Sequence, residues 1–145
     1  MLTQLLLGSI LIVATSVVAA GFWFVLVQGL DRLRPVLRRP PHGPKLMLVL
    51  TFALLVTVAM LTAAVWIWAV TLYALGIFST FEASVYFSLV AFTTLGFGDV
   101  LLPIEWRLLG GLSAANGLLL FGLMTAMLVE TLRETRLRQR GTPPV

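Results

Sequence analysis

Cysteine is absent from the 145 residues, so neither a disulfide nor a thiolate metal site can form. The single histidine, His42, lies in a proline-rich stretch and cannot build a metal site alone. No grouping of Ser, His and Asp suggests hydrolysis, and no enzymatic chemistry or cofactor is expected. Charge is scarce as well. Only 11% of residues are charged, against about a quarter in soluble domains. The formal net charge is +4, but the basic side chains lie beside apolar runs, where membrane topology accounts for them better than nucleic acid does. No internal repeat is visible, which argues against a transporter built from inverted halves with matching broken helices.

Apolar sequence is what the chain has in quantity. It is 59% hydrophobic with a mean hydropathy of +1.03. Roughly 20 apolar residues cross a bilayer. Three stretches reach that length, within 1–30, 46–81 and 108–129. They predict an all-α integral membrane protein with three transmembrane helices. The second is longer than a straight span needs, so it should tilt or emerge at one end. Trp66, Trp68 and Tyr73 cluster near its far end, as at a membrane–water interface. Residues 1–30 are read as a retained span. A signal peptide would carry a basic leading region and a shorter apolar core.

The basic residues orient these spans. Arg32, Arg34, Arg38, Arg39 and Lys45 lie in a loop over 31–45, where Pro35, Pro40, Pro41 and Pro44 are expected to stop a helix. Arg133, Arg136, Arg138 and Arg140 lie in a short tail over 133–145. These are nine of the ten basic residues, and both segments should be cytoplasmic. An even number of crossings must then separate them. That requires the short apolar segment 82–98 to enter and leave on the outer side, and it places the N-terminus outside. The tail arginines could also bind anionic lipid, but orientation signals at the end of a span explain them as well.

The re-entrant segment holds the chemistry. Ser79 and Glu82 have capping-box spacing, so a helix should start near Thr80. It should run for about fourteen residues, roughly half a bilayer, before Gly96 and Gly98 halt it. Irregular backbone is tolerated at membrane depth only where protein buries it or it lines a water-filled path. Two glycines spaced by one residue let the backbone alternate in hand, which can turn successive carbonyls to one side. Rings of such oxygens can replace the water shell of a cation. The negative C-terminal end of the half-helix would also favour a cation.

Thr93-Thr94-Leu95-Gly96-Phe97-Gly98-Asp99 resembles the filter of potassium channels, commonly Thr-Thr-Val-Gly-Tyr-Gly-Asp. The resemblance extends over about 46–132 as outer helix, pore helix, filter and inner helix. It implies a homotetrameric, passive, potassium-selective channel in the plasma membrane. Potassium ions would be bound by Thr94, Leu95, Gly96 and Phe97, with Gly98 completing the row of carbonyls. Thr94 would add its hydroxyl at the innermost site. Thr93, Asp99 and Tyr86 are the expected supports of the filter. Leu95 stands for the usual Val and Phe97 for the usual Tyr, so a weakly selective cation channel is the alternative. A non-conducting partner of another channel or transporter is the alternative of a different class.

Two further readings bear on the support and the gate. Some family members place a carboxylate at the position of Val90, which can neither ionise nor accept a hydrogen bond through its side chain. Tyr86, one turn earlier, can donate to Asp99 instead, or it can belong only to an aromatic cuff with Phe87. Gly117 falls where the family carries a hinge glycine, and Phe121 and Thr125 share its face, assigned to a water-filled cavity. Gly117 and Gly122 could equally permit close helix packing. Asn116 is the one strongly polar side chain of this span. It is open to three partners: the cavity, the pore helix or a neighbour.

Overall fold

The computed structural model describes residues 1–37 and 42–139, with side chains described for 1–32 and 43–137. Helices α1 (Leu2–Leu37), α2 (His42–Ala74), α3 (Phe81–Phe92) and α4 (Arg107–Gln139) follow in order, and a 3-10 turn, Ile104–Trp106, leads into α4. There is no hydrogen-bonded β-strand among the described residues. Three helical stretches, Leu2–Arg32, Gly43–Ala74 and Ile104–Leu137, are long and apolar enough to cross a membrane, and α3 is apolar but short. The chain is therefore an all-α integral membrane protein with three spans and one half-length helix.

The helices reach further than the prolines suggested. α1 passes Pro35 and ends at Leu37. A proline removes one backbone hydrogen bond and bends a helix, and that does not oblige the helix to stop. Pro44 lies in the first turn of α2, where its amide would have had no intrahelical partner anyway. α4 likewise continues to Gln139, so the tail begins as helix. Arg38, Arg39, Pro40, Pro41 and Arg140 lie outside the described residues, as do the side chains of Arg34, His42 and Arg138.

Packing orders the spans. Gly29 of α1 lies against the ring of Phe52 of α2. Gly8 lies against Leu112, and Gln4 and Thr15 on either side of it bond Leu109 and Asn116, so α1 runs parallel to α4. α2 buries Val49, Ala53, Met60, Ala64, Trp68 and Leu72, a single stripe at helical spacing. Trp68 belongs to this stripe and is fully buried, contrary to the interfacial role expected for it. Its neighbours Trp66 and Tyr73 project from the other side and are half exposed. Hydroxyls in the spans are satisfied locally. Thr15, Ser16, Thr62, Thr71, Thr131 and Thr135 each donate to the carbonyl four residues earlier. In an apolar medium such back-bonding spares a donor from being left unpaired.

Candidate functional site

α3 starts where the sequence suggested, but its cap differs. Thr80 is the N-cap, with φ −126° and ψ 147°, and its hydroxyl oxygen accepts from the Ala83 amide at 3.2 Å. Ser79 plays no part in it. Thr80 is one residue nearer the helix, where a side-chain oxygen reaches the third amide. Glu82 lies in the first turn, where its charge suits the helix dipole.

Aromatic contacts pin α3 along α2. Phe81 sits between Trp66 and Tyr73, with ring centroids 5.5 and 5.7 Å away. Phe87 packs on Phe78 at 5.4 Å, and Phe92 meets Trp68 edge-on at 6.3 Å. At its end α3 touches α4 backbone to side. A Cβ placed on Gly117 would lie 2.4 Å from the Phe92 carbonyl oxygen and 2.5 Å from its Cα. Gly117 is ten residues into α4 (107 to 117), so this contact lies about 15 Å along that helix. The chain then returns to Glu105, whose carbonyl accepts a hydrogen bond from Gln4 near the N-terminus. The segment between α2 and α4 thus descends about half a bilayer and comes back to the end it left.

The descent stops in a defined way. The Leu95 amide donates to the Val90 carbonyl at 3.1 Å, and the Thr94 amide donates to Ala91 at 3.0 Å. These are the paired bonds of a Schellman cap, with Thr94 in the left-handed position at φ 57°. Gly96 follows at φ 57° and Gly98 at φ 79°. Leu95 and Phe97, between them, are not left-handed. Every second residue from Thr94 to Gly98 therefore has the opposite hand. Such alternation puts carbonyls on one side of the strand and amides on the other. No hydrogen bond from a described residue reaches the carbonyls of residues 94–98. Leu95 and Phe97 are 56% and 65% exposed in the single chain.

Polar contacts tie down both ends of this strand. The Thr93 hydroxyl donates to the Leu89 carbonyl at 2.8 Å, and the Thr94 hydroxyl donates to the Thr93 carbonyl at 2.6 Å. Beyond Gly98, Asp99 Oδ2 accepts from the Tyr86 phenol at 2.6 Å, and Oδ1 accepts from the Val100 amide at 3.0 Å. The Tyr86 bond holds the Asp99 carboxyl below the usual carboxylate range, helped by backbone amides and partly opposed by desolvation. The same bond pushes the Tyr86 phenol up.

Residues 46–134, more than half of the chain, match a family model described as an ion channel. This is the two-transmembrane family that includes potassium-channel pore domains. The chain belongs to that ion channel family. Neither a curated protein nor a solved structure gave a match. The matched segment of the channel takes in most of α2, all of α3, the strand after it and most of α4, and it begins after α1.

On α4, Gly117 is buried against Phe92, Phe121 is half-buried, and Thr125 is exposed with its hydroxyl on the Phe121 carbonyl. Of the two readings of Gly117, close packing is the one with a visible contact, and α4 runs through it as unbroken helix. Of the three partners open to Asn116, the structure shows a neighbouring helix, α1. Asn116 Nδ2 donates to Thr15 Oγ1 of α1 at 2.8 Å. Thr15 and Gln4 escaped sequence reasoning, although each is a polar group in an apolar run and so in need of a partner.

Proposed function

We propose that four copies of the chain surround one axis and pass potassium ions through the backbone carbonyls of Thr94, Leu95, Gly96, Phe97 and Gly98. The observation that carries this reading is the alternation of hand at Thr94, Gly96 and Gly98. It leaves a row of carbonyls that nothing described in the chain takes up. Four such rows would supply rings of oxygens in place of an ion's water. The exposed Leu95 and Phe97 then have a purpose, since neighbouring copies would cover them. α3 ends near mid-membrane and directs its negative end toward the same place. The Thr94 hydroxyl donates its hydrogen bond to the Thr93 carbonyl, and its oxygen keeps lone pairs for the innermost ion. Asp99 and Tyr86 brace the outer end. The N-terminus and the filter mouth lie outside the plasma membrane, and the basic segments lie inside.

Flux into liposomes tests this. Purified protein should carry potassium down its gradient and sodium far more slowly. Equal rates for both ions would reduce the reading to a weakly selective cation channel. No flux of either, from protein shown to be folded, would favour the non-conducting partner.

A further inference from the structure

α1 lies outside the segment that defines the family, yet it is bonded to the inner helix at two levels. At the outer level, Gln4 Oε1 accepts from the Leu109 amide at 3.2 Å, and Gln4 Nε2 donates to the Glu105 carbonyl. Leu109 is in the first turn of α4, where amides have no intrahelical partner, so α1 caps α4 from outside. Between the levels, Gly8 admits Leu112 so closely that a Cβ would lie 2.4 Å from its Cδ1.

The deeper level is the Thr15–Asn116 bond, with both residues about 1% exposed. The Thr15 proton is engaged by the Leu11 and Ile12 carbonyls at 2.9 and 3.0 Å. Its oxygen can therefore only accept, and this turns the Asn116 amide so that Nδ2 faces α1. Asn116 Oδ1 is buried and has no partner among the described residues, so within them the amide depends on Thr15 for its one bond. The residue after Asn116 is Gly117, which rests on the Phe92 backbone two residues before Thr94. A continuous line of contacts thus runs from α1 through Asn116 and Gly117 to the start of the filter.

We propose that α1 is a positioning helix for the inner helix, and that Thr15, acting through Asn116, holds Gly117 against the end of the pore helix and so sets how long the filter stays open. This inference rests on the channel reading above. Loss of the bond frees α4 to turn or tilt at the one place where its backbone supports α3. The carbonyl rows themselves are untouched, so ion preference and unitary conductance stay the same.

Single-channel recording of the full chain in planar bilayers tests it, with parent, Thr15→Val, Thr15→Ser, Asn116→Leu and the Thr15→Val/Asn116→Leu pair. Thr15→Val keeps the shape and removes the acceptor. Its mean open time should fall about three- to tenfold, the range expected for an interhelical hydrogen bond in a membrane. Thr15→Ser should restore it. The double variant should be no worse than Thr15→Val alone, because the two side chains act as one unit. A merely structural role would lower the yield of assembled protein and leave open times unchanged in what does assemble. That outcome, or strict additivity in the double variant, overturns the inference while the channel reading stands. A folded parent that passes no current overturns both.

Discussion

Placing a methyl group on Gly117 separates two accounts of this glycine by the sign of the effect. Its Cβ would meet the Phe92 oxygen at 2.4 Å, Cα at 2.5 Å and carbonyl carbon at 2.8 Å. Carbon atoms in contact rest about 3.5–4.0 Å apart. The obstacle is backbone, so no rotamer change relieves it, and α3 or α4 must retreat by about 1 Å. Overpacking of this kind costs about 1–3 kcal/mol. Alanine in a helix interior returns about 1 kcal/mol relative to glycine. The packing account therefore expects a net loss of up to about 2 kcal/mol per chain. It also expects the proposed filter strand to be displaced at its base, because Phe92 lies two residues before Thr94. A glycine that serves only as a hinge meets no such clash, and alanine there would raise the stability of the fold while impeding opening.

The assay pairs thermal unfolding of the purified channel with reversal potentials under mixed potassium and sodium. Gly117→Ala should melt lower and lose conduction or ion preference. Gly122→Ala is the internal control, since nothing among the described residues lies within 4 Å of its Cβ. It should melt no lower than the parent. A Gly117→Ala protein that melts above the parent with an unchanged reversal potential would refute the packing argument.

Gly96→Ala and Gly98→Ala should each abolish conduction, because both positions are left-handed at φ 57° and 79° and a Cβ is penalised there by about 1–2 kcal/mol; normal currents would mean that the strand is not arranged as described. Tyr86→Phe removes the donor to Asp99 and keeps the ring, so openings should shorten without a change in ion preference, and open times equal to the parent's would reduce Tyr86 to an aromatic packing residue. The Asp99 carboxyl is depressed, so its bonded form is complete above the ordinary carboxylate pKa and is lost only as pH falls through the lower folded value. Stepping external pH downward should therefore shorten openings only below about pH 4, and onset near pH 6 would implicate another group. Single cysteines are unambiguous in this cysteine-free chain: at Thr3 or Pro103 they should react with an impermeant reagent outside, His42→Cys should be protected, and labelling of His42→Cys in intact cells would invert the topology.

The spans and the half-length helix were legible because length and hydropathy are physical requirements of a bilayer, and little in the tertiary structure can override them. Helix ends were less so. Pro35 and Pro44 have the same chemistry, yet one sits inside α1 and the other in the first turn of α2, where its missing amide matters least. Ser79 and Thr80 are both good caps, and only backbone geometry decides between them. Trp68 shows the limit of reading aromatic residues as interface markers. Its helical phase, shared with Ala64 and Leu72, puts it in the core, while Trp66 and Tyr73 fall out of phase and remain exposed.

Thr94 was the hardest feature to read, and it opens the strand of alternating hand. Glycines announce a left-handed backbone, but a β-branched residue argues against one, because its Cβ crowds the carbonyl. The strain, about 1–3 kcal/mol for such a residue, persists because neighbouring bonds over-determine the conformation. The Thr94 amide is held by Ala91, the Leu95 amide by Val90, and the Thr94 hydroxyl by the carbonyl of Thr93. Phe92 is fixed in turn between Trp68 and Gly117, so the turn cannot relax by moving the helix. A glycine at 94 would adopt the same backbone without strain and without a side chain. Threonine brings a hydroxyl to the first turn of the alternating strand, and under the proposed function its oxygen, with free lone pairs, would continue the row of carbonyls by one more ligand. The strain is thus located at the one left-handed position where a side-chain oxygen can add to what the backbone supplies, and Gly96 and Gly98 carry the same backbone hand without it.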